Sequence, residues 1–183
     1  MDISTTAAGL VDEDLQLDTP LWRFAITAWQ DRTTAQLCLQ LQAAGWSVTR
    51  LLCAAWLARE GRSLDPETSA VTSWRAHMTA PIRTMRQSLS KQSKITAALR
   101  EQLAGAELEA ERVELALAHA ALAAGHPKPD PAFRRQPLSQ RLQANLAAAA
   151  PDADTRKDVS QQVVRDLSRQ LAEQLTATRE ATT

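Results

Sequence analysis

The chain has 183 residues, is 44% hydrophobic, and balances 21 Lys and Arg against 21 Asp and Glu. A net charge of zero gives no overall field that would draw the chain to nucleic acid or to anionic lipid. Glycine is scarce, and the dominant Ala, Leu, Gln, Arg and Glu are strong helix formers, so the composition predicts an all-α fold.

The N-terminal segment, residues 1–18, is polar and acidic, and we expect it to be loosely structured. It lacks a basic region followed by an apolar run, so we expect no signal peptide. The longest apolar run, residues 51–58, is far shorter than the roughly 20 residues of a membrane span. We therefore expect a cytoplasmic protein without membrane association.

The first predicted helix begins at Thr19-Pro20, with Thr19 as N-cap and proline at the first helical position. At about 100° per residue, Phe24 points away from the main apolar face of this helix. That face carries Leu21, Trp22, Ala25 and Trp29.

Two further helices follow within a short distance. The second spans roughly 33–44 and ends at Gly45, and the third spans 48–60, capped by Ser47 and closed by Gly61. The third helix is apolar nearly all round, so we expect it at the centre of a helical bundle.

The segment Asp65-Pro66-Glu67 predicts the next helix start. Pro81 should break or kink that helix, because proline lacks a backbone donor and clashes with the preceding turn. A further break near Ser88–Ser93 or at Gly105 is compatible with the pattern, which continues into a helix over 106–124. The apolar residues at helical spacing are Val71, Trp74, Met78, Ile82, Met85, Leu89, Ile95, Leu99 and Leu103.

The C-terminal part begins with the sequence GHPKPDP, residues 125–131, in which three prolines predict an extended linker. A short Ala-rich helix over 137–149 and an amphipathic helix over 155–177 follow. We expect the latter to dock on the bundle or on a partner through one apolar stripe. The stripe comprises Val159, Val163, Leu167, Leu171 and Leu175.

The predicted architecture is a compact all-α bundle of about five helices with a Pro-rich linker and a C-terminal amphipathic helix. Its parts are a loose acidic N-terminus at 1–18, the bundle at 19–125, the linker at 126–136 and a helical extension at 137–183.

Several motifs between residues 20 and 124 resemble an uncharacterised family of small proteobacterial helical proteins. LWRFA, CLQLQAAGWSV and LLCAAWLA resemble its opening, and PIRTMR and AELEAERVEL resemble its later Pro-Leu-Arg-x-x-Arg and Glu-rich stretches. Ser47 departs from the Asp that the family pattern implies, and both residues are good N-caps. The resemblance implies a domain in this region but no activity.

The Glu-rich stretch places three carboxylates on one stripe of a helix. Glu111 and Glu114 lie within about 40° of Glu107, between two apolar faces. Shielded carboxylates need partners, and Arg83 and Arg86 are the candidates, since a guanidinium can hold a carboxylate through two hydrogen bonds. We predict an interhelical Arg–Glu network; a solvated stripe and a functional ligand site are the alternatives.

The sequence contains little that indicates catalysis, a metal or a cofactor. His77, His119 and His126 do not form the Glu-x-x-His pairs of a di-iron bundle, and no Gly-rich phosphate loop occurs. Cys38 and Cys53 lack a nearby His and are expected to be buried thiols, with a disulfide as the alternative. We expect no metal, no cofactor and no catalytic residue.

Two ligand sites are nevertheless conceivable around Pro81. Arg75, Arg83 and Arg86 could line an anion-binding cleft together with Trp74 and His77, although a tryptophan on an apolar stripe belongs more often to the core. The run RTMRQSLSKQSK, residues 83–94, could contact RNA, but it lacks interleaved aromatic residues.

The predicted function is therefore a non-catalytic interaction or regulatory module. Its expected partner is a protein or a second copy of the chain, bound by the last helix, and nucleic acid is not expected. The alternative is a small anionic-ligand-binding protein or enzyme using Arg83, Arg86, Glu107 and Glu111. The alternative requires a cavity at the arginines, whereas the first prediction requires an exposed apolar stripe on the last helix.

Overall fold

The structure is a computed structural model that describes residues 11–124, 130–151 and 158–180, without the side chains of 158–159 and 178–180. All regular secondary structure in these ranges is helical, which confirms the predicted all-α class. None of the helices in these ranges is long and apolar enough to cross a membrane. The helices are α1 (Pro20–Gln30), α2 (Arg32–Ala43), α3 (Val48–Glu60), α4 (Ser69–Trp74), a π-helical turn (Arg75–Thr79), α5 (Ala80–Ser88), α6 (Ala97–Ala123), α7 (Pro131–Arg135), α8 (Leu138–Ala148) and α9 (Asp158–Glu180).

The predicted capping residues at the ends of α1 and α3 act as such. The Thr19 hydroxyl accepts a hydrogen bond from the Trp22 amide at 3.0 Å, and the Ser47 hydroxyl accepts one from the Arg50 amide at 3.2 Å. Gly61 ends α3 in the left-handed conformation, with φ of 72°, where a side chain would be strained. The limits of these helices therefore follow from local sequence.

Contacts divide the chain into two compact units, each formed by two separate stretches. Unit 1 comprises Met1–Trp22 and Pro66–Ala124, and unit 2 comprises Arg23–Asp65 and Gly125–Thr183. The helices after the proline-rich stretch thus belong with α2 and α3. The sequence-based domain limits remain a prediction.

The core of unit 1 forms around Trp74 of α4. Its ring packs with Val71 and Leu117, and its indole Nε1 donates to the backbone oxygen of Ala110 at 2.9 Å. Val11, from the stretch before α1, packs against this cluster. Trp74 is therefore a core residue that fixes α4 against α6.

Unit 2 is centred on α3, whose residues 51–58 are all buried, as predicted. Helix α8 packs on α3, and α9 packs on both α8 and α2. Leu167 and Leu171 of α9 are buried in this packing. The last helix is therefore part of unit 2, and the middle of its apolar stripe is covered within the chain.

Asn145 joins α8 to the end of α3. Its side-chain amide donates to the backbone oxygens of Ala54 and Arg62 at 3.1 and 2.9 Å, and its oxygen accepts from the Leu64 amide at 3.0 Å. The bonds to Arg62 and Leu64 satisfy backbone groups just after α3 ends, whereas the bond to Ala54 is made inside the helix. One buried side chain thus holds the exit of α3.

The helix predicted to begin at Asp65-Pro66-Glu67 begins instead at Ser69. Glu67 lies outside the helix, and its carboxylate binds the guanidinium of Arg75. Glu67, which the sequence pattern places in the first helical turn, therefore pairs with a residue eight positions along the chain.

Pro81 does not break the helix, so that alternative of the prediction is wrong, whereas a kink at this position stays a prediction. A π-helical turn, Arg75–Thr79, leads directly into α5, in which Pro81 occupies the second position. The wider turn leaves room for the proline ring and changes the hydrogen-bond pattern where the missing donor would matter. The stretch from Ser69 to Ser88 is therefore continuously helical, which gives five helical stretches between residues 20 and 123, as predicted.

The helical pattern after Pro81 is interrupted between α5 and α6, at residues 89–96. Of the two positions that the sequence allows, the structure has the first, since Gly105 lies inside α6. Ile95, which the apolar spacing assigned to the helix, is outside it and 96% exposed. On α1, Leu21 and Ala25 are buried, as predicted, whereas Phe24 is also buried and Trp29 is 40% exposed, contrary to prediction.

The predicted linker at 126–136 contains a short helix, α7, in the part that the structure describes. Pro131 takes its first position, where proline is tolerated, and the Asp130 carboxylate accepts from the Ala132 amide at 2.8 Å. The three prolines therefore do not exclude helix throughout this segment.

Candidate functional site

The four residues at the centre of the predicted network lie together between α5 and α6. Arg83 Nε donates to Glu107 Oε1 at 2.8 Å, and its Nη2 donates to Glu111 Oε1 at 2.6 Å. Arg86 holds the same Glu107 through its Nε and, at 3.3 Å, its Nη2. Glu107 is buried and is the common acceptor of both arginines.

Glu114, the third member of the predicted stripe, pairs with a different arginine. Arg75 Nε donates to Glu114 Oε1 at 2.7 Å, and Arg75 Nη1 donates to Glu67 Oε2 at 2.7 Å. Glu114 is also buried. The network thus has two parts, one formed by Arg75 at the start of the π-helical turn and one formed by Arg83 and Arg86 on α5.

Arg100 secures the end of α5 from α6. Its Nη1 donates to the backbone oxygens of Arg86 and, at 2.9 Å, Leu89. These carbonyls belong to the last turn of α5 and the residue after it, where a cation also interacts favourably with the helix dipole. Arg100 therefore holds α6 to the end of α5, next to the turn that connects the two helices.

The network contains more carboxylates than guanidinium groups. Burial alone would raise the pKa of Glu107, but the hydrogen bonds and charges of Arg86 and Arg83 outweigh it and hold that pKa below its usual value. Burial raises the pKa of Glu111 to about 7, helped by the charges of Glu107 and Glu114 and opposed by Arg83. Glu111 therefore takes up a proton near neutral pH.

This difference predicts a dependence of stability on pH. Because the folded pKa of Glu111 lies above the value of 4.5 for an exposed glutamate, its contribution is complete below about pH 4.5 and is lost as the pH rises through 7. We expect Glu111→Gln to raise the melting temperature at pH 8 by about 5 °C and to change it little at pH 5.

Differential scanning calorimetry of both proteins at pH 5, 6, 7 and 8 measures this difference. His119, whose pKa burial lowers, affects both proteins alike and cancels in the comparison. A constant offset between the two melting curves at every pH would contradict the shift of Glu111.

Two of the connections were not predicted from the sequence. The sequence assigns Arg75 to an anion cleft and Glu67 to a helix start, and it gives Arg100 no role. A signal was present: Arg75 precedes Arg83, and Glu114 follows Glu107, by about two helical turns. Such spacing is typical of neighbouring antiparallel helices that pair in register.

The proposed anion cleft around Pro81 is not formed by the residues assigned to it. Trp74 belongs to the core, and Arg75 binds Glu67 and Glu114. His77 Nδ1 lies 2.8 Å from the backbone oxygen of Ser73 on its own helix. An anion at Arg75 would have to displace two carboxylates.

The residues of the predicted apolar stripe of α9 differ in burial. Leu167 and Leu171 are buried in unit 2, whereas Val163 and Leu175 are partly buried. The side chain of Val159 lies outside the described residues. In the described ranges, no group of three His, Cys, Asp or Glu residues is placed to hold a metal ion. Cys38 and Cys53 are buried, as predicted, and no disulfide joins them.

Comparison with known proteins gives one match. A family model described as "Protein of unknown function (DUF2390)" matches residues 20–117, from the start of α1 into α6. No curated protein and no solved structure matches the chain. The matched region includes the Arg83–Glu107 network and excludes α7, α8 and α9.

Proposed function

Since the chain belongs to the DUF2390 family of proteins of unknown function, we propose its role from geometry alone. We propose a non-catalytic interaction module that binds an acidic protein surface. The binding element is the α5–α6 connection with its flanking turns, residues 80–106, called the hairpin arm below.

The hairpin arm is unusual in its exposure. None of residues 80–106, all of which the structure describes, is buried. Ile95 is 96% exposed, and Met85 and Leu99 are each 49% exposed. Large apolar side chains grouped on an exposed element mark interaction sites more often than the same residues scattered singly. This observation carries the proposal.

The charge of the hairpin arm indicates the kind of partner. Lys91 and Lys94 are exposed beside Ile95, whereas Glu101 is the single acidic residue between 80 and 106. Arg83 and Arg86 are compensated by Glu107 and Glu111. The uncompensated charge is therefore positive and lies near the tip, which favours an acidic surface.

The Arg–Glu network supports this role indirectly. It joins α5 to α6 at the base of the hairpin arm, and Arg100 holds the two helices together next to the connecting turn. An element held in one conformation before binding loses less entropy when it binds. The network thus serves to preorganise the hairpin arm.

Two of the hypotheses drawn from the sequence change under this proposal, and a third is kept. The apolar stripe of α9 is a poor docking face because Leu167 and Leu171 are buried within the chain. A small anion at Arg83 and Arg86 would have to displace Glu107, so we do not propose one. Cys38 and Cys53 are buried and form no disulfide with each other, which is compatible with the reducing cytoplasm that we keep as the proposed location.

Site-specific photocrosslinking in cells tests the proposal. With p-benzoylphenylalanine in place of Ile95, we expect a discrete adduct with a protein whose contact surface is acidic. The matched control is the same group in place of Leu39, which is 49% exposed on α2. Adding Lys91→Glu and Lys94→Glu should reduce the Ile95 adduct by roughly tenfold, because like charges then face each other.

Three outcomes would count against an acidic protein partner. Equal adducts from the positions of Ile95 and Leu39 would indicate nonspecific capture. Adducts with nucleic acid would restore the RNA hypothesis, and adducts with a second copy of this chain would assign the hairpin arm to self-association.

A further inference from the structure

A cleft of about 210 Å³ lies within unit 2, separate from the Arg–Glu network. It is formed by the turn between α2 and α3 together with one face each of α8 and α9. Its volume is below the roughly 300–1,000 Å³ of drug-sized ligand sites, so it suits a molecule of one ring or a short branched chain. The lining residues are Trp46, Gln143, Ala147, Gln161, Val164 and Arg165.

All polar side chains that line the cleft carry N–H groups, and none is acidic. Gln143 and Gln161 carry amides that both donate and accept, and Arg165 carries a guanidinium that only donates. Trp46 is 3% exposed, and its indole Nε1 has no acceptor within the described part of the chain. A buried donor without an acceptor costs about 1–3 kcal/mol. Among the lining residues, the groups that can only donate are therefore the Arg165 guanidinium and the Trp46 indole N–H.

Arg165 is positioned at the cleft without losing its charge. Its Nε and Nη2 donate to the side-chain oxygen of Gln162 at 3.3 and 2.8 Å. An amide oxygen orients the guanidinium but does not neutralise it. A positive charge thus remains available beside the indole of Trp46.

The remaining lining is apolar. Val164 and Ala147 face the cleft with the indole ring of Trp46, and apolar lining with a few polar groups is typical of small-molecule sites. We propose that this cleft binds a small organic monocarboxylate with one compact apolar group. The carboxylate accepts from Arg165 and the Trp46 indole, and the apolar group lies against Val164 and Ala147.

Nuclear magnetic resonance of the full chain tests this site. The chain has five tryptophans, so its indole N–H groups give up to five signals, and loss of one in Trp46→Phe assigns that of Trp46. We expect benzoate, or isovalerate if the apolar group is branched, to shift this signal saturably with a Kd near 1 mM. Benzamide, which lacks the charge, should bind at least tenfold more weakly.

Matched arginine variants separate this site from general attraction of anions. Arg165→Gln should weaken carboxylate binding at least tenfold. Arg169→Gln, one turn further along α9, should not, because Arg169 is 68% exposed and binds Asp166. Failure of both carboxylates to shift the Trp46 signal at 20 mM would overturn the proposal. Equal effects of the two variants, or equal binding of benzamide and benzoate, would overturn it as well.

Discussion

Replacing Glu107 with alanine should lower the free energy of unfolding by about 3 kcal/mol. The change removes the acceptor that Arg83 and Arg86 share, leaving two guanidinium groups partly buried beside α6. Removing one partner of a buried ion pair usually costs about 3–5 kcal/mol, because the remaining charge is uncompensated. Urea unfolding followed by circular dichroism measures the loss.

Glu109→Ala is the matched control for this prediction, because Glu109 lies two residues away on α6 with a side chain that is 66% exposed. Its effect should stay within about 0.5 kcal/mol. If Glu107→Ala were equally mild, the arginines would be solvated in the native state and the network would not hold the hairpin arm. A combined Arg83→Met, Arg86→Met and Glu107→Leu variant should recover most of the stability, since apolar replacement of a whole buried network is often neutral.

Asn145→Ala should also destabilise the protein by about 3 kcal/mol, through a different mechanism. The variant leaves the backbone oxygen of Arg62 and the amide of Leu64 without their partner, and it removes an additional bond to the Ala54 oxygen inside α3. Each buried unsatisfied group costs about 1–3 kcal/mol, although water entering the space recovers part of this. The melting temperature should fall by roughly 6–12 °C.

Gln140→Ala serves as the control for Asn145→Ala, because Gln140 is exposed on the same helix, and its melting temperature should change by less than about 2 °C. Asn145→Ala and Gln140→Ala are compared by calorimetry at one pH. A fall of less than 2 °C for Asn145→Ala would mean that the end of α3 is held by packing and not by these hydrogen bonds.

The sequence predicts most helices because their signals are local. Thr19, Ser47 and Gly61 satisfy or end a helix through groups within four residues, and such groups can be read directly from the chain. The proximity of Arg83 and Glu107 can also be predicted from the sequence, because a buried carboxylate stripe requires a cation and few cations are available.

The failures have long-range causes. Glu67 was assigned to a helix, but it pairs with Arg75, and no local pattern contains that contact. Asn145 looks like any polar residue of an Ala-rich helix, and its role depends on the backbone of another stretch of unit 2. Ile95 continues an apolar spacing without packing, since spacing reports the face of a helix and not whether another element covers it.

The π-helical turn at Arg75–Thr79 also sets the rotational phase of the segment. In an uninterrupted α-helix, Arg75 and Arg83 would differ by about 80° around the axis. Because a π turn winds less per residue, the angular difference between Arg75 and Arg83 nearly vanishes. Both guanidinium groups therefore reach the same side of α6. If the same five residues wound as an α-helix, Arg83 and Arg86 would rotate away from Glu107. Removing one residue together with the π-helical winding would leave seven α-helical steps, about 700°, and would nearly preserve the orientation. The orientation of α5 thus depends on how these five residues wind and not on their number alone.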